Sequence, residues 1–476
     1  MIFDANTDSL DTLKNRHYDV CICGTGPAGL TLAISLAEHG YKIALIEAGG
    51  RNASSARQDL YEGQTHSLNY PLSTSRLRFL GGTSNHWGGE TRPLDARDFK
   101  SLPYHPLNEW PIDKADLDKY TLQTAKILDL DAPITQEDLF RGKASNIEPL
   151  NPAFRYSLPT RFGTKYYYEV RKTPNIDLYL NLNLVDIRLN AKHTAVDSFI
   201  TRSYHSDITH RISATHFSVC CGALENARAL LLSDKQLKQG VGNQYDQVGR
   251  YFCAHIAVPI GRAIIREAVP RESFYIVKDD FMLSQKCLSF LVSISSTGEL
   301  AEVSFKDRLS NLLKGNLFND DESTISVVLQ QSCDSRNRVM LSDRKDSLGL
   351  KRIALDWQES SLDKHTLRIA ATEFATALAK HDVGRMHVYD HILDSSIPRP
   401  LDYITGMSHP MCTTRMSASP TTGVVDKNCK VFGFDNLFVG GSSVFASGGV
   451  SNPTYTIVQL ALRLSDHLHQ RMSKVA

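Results

Sequence analysis

Residues 18–47 read YDVCICGTGPAGLTLAISLAEHGYKIALIE, and the order of segments within them decides the fold. Tyr18 to Cys23, YDVCIC, reads as a short buried strand. Gly24, Gly26 and Gly29 follow as GxGxxG, and LTLAISLAEHG then has helical apolar spacing up to Gly40. KIALIE is a second apolar run, and it ends in Glu47. Strand, glycine turn, helix and strand with an acidic residue at this distance predict a dinucleotide-binding unit. Gly24 permits the tight turn, Gly26 lets a pyrophosphate approach, and Gly29 lets helix and strand pack. Pro27 and Ala28 open a helix whose N-terminus faces the phosphates, and Glu47 stands where a ribose hydroxyl would bind. Ala48, Gly49 and Gly50 fit a chain kept close to an adenosine, although NAD and FAD share this fingerprint.

Composition sets outer limits. The chain has 476 residues, 42% hydrophobic and 22% charged, with a formal net charge of +1. These values describe a globular protein of about three domain-equivalents and give no basic excess for nucleic acid. The first twenty residues carry acids and lack an apolar run, so neither a secretory signal nor a membrane span is expected, and cytoplasmic residence is. Nine cysteines occur without CxxC pairs at zinc spacing; buried reduced thiols are expected, and no metal.

Four further stretches carry small residues where a flat ligand needs close backbone. LGGTSNHWGGE holds Gly81, Gly82, Thr83, Asn85, His86, Trp87, Gly88 and Gly89. By itself this loop leaves His86 open as a ligand, an attachment point, an acid-base group or packing. FSVCCGALENARALLL reads as a strand feeding a helix, with Cys221 and Gly222 at the junction and Asn226 one turn on. Gly441 and Ser442 follow the strand-like LFV. Asn452, Pro453 and Thr454 open the helical stretch TYTIVQLALRLSDHL, with Pro453 suited to the first helical position and Asn452 to the cap. The positive end of that helix suits negative charge developing on a cofactor.

GTGPAG, LGGTSNHWGG, WPIDKADLDKY, CCGALENARALLL and the run from Ser408 through SHPMCTTRM to SNPTYTIVQL occur in this order. Together they resemble the glucose-methanol-choline (GMC) family of FAD-dependent oxidoreductases over nearly the whole chain. Within that family the resemblance is strongest to pyranose oxidase and nearby bacterial sugar and alcohol oxidoreductases. It implies FAD as cofactor and His409, five residues before Thr414, as the base that takes the substrate hydroxyl proton. It also implies Asn452 as the hydrogen-bonding partner of His409, and hydride passing to flavin N5. Val185 matches the place where relatives contact adenine through backbone. His86 matches the position at which pyranose oxidase binds FAD covalently; contact without a bond is the preferred of the two readings. Imidazole chemistry agrees with the assignment of His409, because its ordinary pKa near ~6.5 suits proton removal at neutral pH. Pro410 and Cys412 depart from the histidine and glycine of some bacterial relatives, which bears on the details of the pocket.

The expected fold is α/β, α+β overall. A Rossmann-like FAD-binding domain (15–110, 170–254 and 400–476) interleaves with a substrate domain (111–169 and 255–399) built on a mainly antiparallel sheet backed by helices. Residues 304–324 read as an amphipathic or mobile insertion, with a lid, a dimer contact and a membrane-skimming patch as its readings. The expected reaction is oxidation of a secondary hydroxyl of a sugar, glycoside or sugar-bearing natural product. Oxygen, or a quinone-like or protein acceptor, would take the electrons. A hydrophobic or sterol-like alcohol, and a redox-silent lyase of the same fold, stand as alternatives.

Overall fold

Strand β1 (His17–Cys23), helix α1 (Pro27–Glu38) and strand β2 (Ile43–Ile46) form the expected unit in a computed structural model of the chain. The structure describes all residues except 12, 14–15, 133–135, 137, 159, 267–271, 297–321, 399–403, 407 and 475–476. The 304–324 insertion therefore lies outside the described residues up to 321, and its last three residues open the strand Glu322–Leu329.

β1 and β2 pair in parallel, and both are almost wholly buried because helices and loops cover both faces of their sheet. Ile176–Leu180 pairs on the far side of β2, and Ile2–Asp4 joins ahead of residue 15 as the edge strand. On the other side of β1 lies strand β3 (Thr209–Val219), also parallel, with Leu437–Val439 parallel to it. An antiparallel meander, Asn183–Leu189 and Val196–Arg202, completes the eight-stranded sheet. The parallel strands β1, β2, β3 and Leu437–Val439 end at one edge. Each is followed there by one of the glycine or small-residue turns read in the sequence, as ligand-binding doubly wound sheets require.

The second sheet is antiparallel throughout. Its order is Gly384–Val388, strand β4 (Ile256–Ile265), Glu322–Leu329, Phe290–Ser296, Glu272–Val277 and Ile147–Pro149. The helix Ser361–Lys380 backs it, begun by a capping box of Ser360 and Asp363 and seated by buried Leu367, Ala370 and Phe374. Arg338–Lys345 and Lys351–Trp357, which fall within the expected substrate domain, instead form a separate three-stranded sheet with Gly63–Ser67. A short apolar run does not record which sheet it joins. Here Trp357 decides, wholly buried against Tyr70 and Phe252 with ring centroids 5.5 and 6.0 Å away. Among the described residues no helix is long and apolar enough to cross a membrane, and no group of three or more His, Cys, Asp or Glu could hold a metal.

Gly29 shows how tightly the first unit is built. A Cβ there would collide with the Gly24 carbonyl oxygen and stand 3.4 Å from Cys220 Cβ. Gly29→Ala is therefore expected to lower stability by about 1–3 kcal/mol, read as a fall in the thermal midpoint together with reduced flavin content.

Candidate active site

Three helices start at one cavity of about 670 Å³. They are α1, helix α2 (Ala223–Leu232) and helix α3 (Thr454–Ser473), and none has a side-chain cap at its boundary residue, Gly26, Gly222 or Pro453. Each leaves first-turn N–H groups that seek an acceptor, a combination suited to an anionic ligand. One of them is taken, since Tyr455 N–H donates to Thr91 Oγ1 at 3.2 Å. Gly24 has φ +107°, and a Cβ on it would strike the Cys220 carbonyl. A Cβ on Gly26 would meet no protein atom within 4 Å, so the backbone there stands open to a ligand.

Most residues expected at the site line this cavity: Gly24, Gly26, Pro27, Ala28, Glu47, Ala48, Gly82, Thr83, His86, Trp87, Gly88, Cys221, Gly222, Gly441, Ser442, Asn452, Pro453, Thr454 and His409. Others stand behind the wall and shape it. Gly29 supports the α1 turn, Gly81 packs on Gly163, and Gly89 packs on Ser157. Asn85 Nδ2 donates to the carbonyls of Leu80 and Gly82, each at 2.9 Å. Asn226 ties two turns together, with Oδ1 accepting from Cys221 N at 2.7 Å and Nδ2 donating to Gly440 O at 2.9 Å. Val185 lies outside the lining; on its strand Leu184 forms the wall, because successive strand residues face opposite ways.

Glu47 is buried and holds the glycine turn itself. Its carboxylate accepts from Thr25 N at 3.2 Å, from the Thr25 hydroxyl, and from Gly49 N at 2.8 Å. His86 is exposed at the end of a short 3₁₀ turn, Gly82–Asn85. Trp87 Nε1 donates to Thr160 O at 2.8 Å, and Arg161 donates to Trp87 O at 2.6 Å, which anchors the loop. Partial burial, then the nearby Arg161 charge, lowers the His86 pKa and keeps its imidazole neutral.

His409 and Asn452 both line this cavity. Burial, then the neighbouring His255, holds the His409 pKa well below its ordinary value. Asn452 does not cap α3, whose boundary residue is Pro453; its Nδ2 donates to Glu90 O at 2.9 Å, which fixes the amide orientation. His255, which drew no attention in the sequence, lies 3.1 Å from His409, Nδ1 to Nδ1.

Residues 333–461 match the family model for GMC oxidoreductases, and residues 19–58 match an FAD-binding domain. The C-terminal segment is that of a GMC oxidoreductase. The chain is 24% identical to a 6'''-hydroxyparomomycin C oxidase of Streptomyces lividus, over 97% of this chain and 93% of that one. To a 2-methyl-1,2-propanediol dehydrogenase of Mycolicibacterium austroafricanum it is 22% identical, over 98% and 97%. Its fold is shared with pyridoxine 4-oxidase from Mesorbium loti at a TM-score of 0.60 and 17% identity, covering 95% and 99% of the two chains. Formate oxidase matches at a TM-score of 0.59 and 16% identity, covering 97% and 99%. The enzyme binds FAD and acts on CH–OH groups, and the helix starts at the cavity and the open backbone at Gly26 fit that cofactor.

Beside Glu47 the enzyme carries a buried charge cluster that sequence reading missed. Arg76 and Arg78 line the cavity and cover the Tyr61 ring, with guanidinium carbons 4.0 and 5.0 Å from its centroid. Arg76 reaches Glu225 at 2.8 Å, Arg228 reaches it at 3.3 Å, and Arg228 also pairs with Asp346 at 2.6 Å. Burial opposes the Glu225 charge, but the surrounding arginines, led by Arg228, outweigh it and hold the carboxyl down at about 2. A carboxyl depressed from 4.5 to about 2 contributes stability that is complete above its unfolded value and lost as pH falls from about 4.5 toward 2. Glu225→Gln is expected to cost about 3–5 kcal/mol at neutral pH and to flatten the acid dependence of the thermal midpoint across that window.

Proposed function

We propose that this enzyme oxidises a secondary hydroxyl of a sugar, glycoside or sugar-bearing natural product, with His409 as the base and Asn452 holding the reacting oxygen. The single observation behind this reading is that His409, Asn452 and the three helix starts share one cavity. The hydroxyparomomycin named for one full-length relative supports the sugar-bearing substrate class, whereas the 2-methyl-1,2-propanediol named for another has a primary and a tertiary hydroxyl and points to a primary CH–OH.

An alcohol carbon gives up hydride readily only when its O–H proton is leaving. His409, kept neutral by burial, is ready to take that proton at neutral pH. Asn452, its amide set by Glu90 O, orients the hydroxyl without adding a charge. When bound, FAD supplies the two-electron acceptor. Gly24, Gly26 and the starts of α1 and α2 would hold its phosphates, and the start of α3 would face its redox ring. The β1 sheet and its returning C-terminal helix form the proposed FAD-binding part, and the antiparallel sheet forms the substrate part. The electrons then pass to oxygen, a quinone-like compound or a protein acceptor, and the proposed place of action is the cytoplasm.

Anaerobic addition of sugars, glycosides and aliphatic alcohols is the direct assay. Bleaching of the flavin absorbance by sugar-type alcohols is expected; turnover with unchanged flavin would mark a lyase, and bleaching by sterol-like alcohols alone would reassign the substrate. His409→Ala is expected to lower kcat by roughly 10²–10⁴-fold with flavin content retained. The wild-type kcat/KM should stay flat from neutral pH well into the acid range, because the base is lost only as pH falls through a depressed pKa.

His86 is proposed as a neutral flavin contact that makes no covalent bond. After acid precipitation the yellow colour is expected in the supernatant. Colour held in the pellet, and released by His86→Ala, would assign the bond instead.

A further inference from the structure

His255 is wholly buried immediately before β4 and meets His409 edge-on, with ring planes at 90° and centroids 5.1 Å apart. Its Nδ1 faces His409 Nδ1 at 3.1 Å, and its Nε2 lies 3.4 Å from the Gly448 carbonyl oxygen. A carbonyl oxygen only accepts, and a neutral imidazole has one N–H. The hydrogen of His255 therefore sits on Nε2, and its Nδ1 is a lone pair. The nitrogen facing that lone pair, His409 Nδ1, must be the donor, which leaves His409 Nε2 as the basic nitrogen.

We infer that His255 is a positioning residue that locks His409 in the Nδ1–H tautomer, so that Nε2 alone is available to a substrate hydroxyl. The inference rests on the reading of His409 as the base. The alternative arrangement, a proton on each His255 nitrogen, is opposed by burial, which brings the His255 pKa down to about 4. When His409 gains a proton at Nε2, its Nδ1–H bond to His255 stays in place and becomes charge-assisted, so nothing has to rearrange. Among the described residues His255 is the titratable group whose charge acts on His409. Of the other elements packed here, the 448–449 turn presents backbone groups to His255, and Asn452 is uncharged. Cys412 is a thiol raised by burial, 3.1 Å from Cys253 Sγ.

Long-range proton–nitrogen NMR of the histidine-¹⁵N-labelled holoenzyme reads the tautomers without turnover. Expected are an N–H at Nδ1 of His409 and at Nε2 of His255, with signals assigned by His409→Ala and His255→Leu. His255→Leu is expected to lower kcat on the order of 10–100-fold with KM little changed, by analogy with groups that orient a functional histidine. His255→Asn, which offers both an acceptor and a donor, should restore most of it. His255→Asp should move the acid limb of kcat/KM to higher pH, because a carboxylate favours the imidazolium. An N–H at Nε2 of wild-type His409, or a flavin-replete His255→Leu with kcat within about twofold of wild type, would overturn the inference. Where His255→Leu fails to fold, the wild-type spectrum and the His255→Asp pH profile decide. Full turnover by His409→Ala would instead remove the reading of the base, while the tautomer spectrum would still test the pair.

Discussion

The site depends on the first-turn backbone N–H groups of three helices, of which the Tyr455 N–H is met by Thr91 Oγ1. α1, α2 and α3 begin nearly two hundred residues or more apart in sequence, yet all three start at the same cavity with no side-chain cap from their boundary residues. A buried N–H left without an acceptor costs about 1–3 kcal/mol, so such starts are tolerable only where an anion or water meets them. The parallel sheet satisfies this by delivering β1, β2, β3 and Leu437–Val439 to a common edge, where each strand turns into the wall of the cavity. Binding of FAD to that wall is therefore also a contribution to folding stability, through the ordinary linkage between ligand and native state.

Such a constraint leaves a local trace in sequence, which is why so much of the site could be read there. Gly29 is demanded by the Gly24 carbonyl five positions away and Gly24 by its own positive φ of +107°, and the pattern of strand, turn and helix around them repeats that demand. Other features have no local trace. Arg76 and Glu225 are 149 positions apart, and nothing near either one announces the partner that makes a buried charge tolerable. His255 reads as one polar residue ahead of an alternating strand, and its meaning arises only when the fold brings His409 against it across 154 positions. Val185 is a smaller case: it is expected to offer its backbone, and the side chain that lines the cavity on this strand is that of Leu184. Strand membership was similarly hidden, because Lys351–Trp357 carries an apolar pattern that either sheet could use.

The two sides of the cavity handle charge in opposite ways. Beside Glu47, three arginines and two carboxylates are buried together, an arrangement that is stable because each charge is permanent and has partners fixed by the fold. At His409 the neighbour is an imidazole that burial keeps neutral, and the amide of Asn452 lines the same cavity. A group that must gain and lose a proton in every turnover is badly served by a fixed charge. An adjacent carboxylate would hold the proton, and an adjacent guanidinium would prevent its arrival. A neutral acceptor supplies direction without that bias. Its orientation is set in turn by the Gly448 carbonyl, in the same loop that leads to Asn452 and α3. On the proposed reading, the segment from 448 to 454 would fix the tautomer of the base, carry the amide that orients the reacting oxygen and present the positive end of α3, so that its backbone position would govern proton and hydride chemistry together.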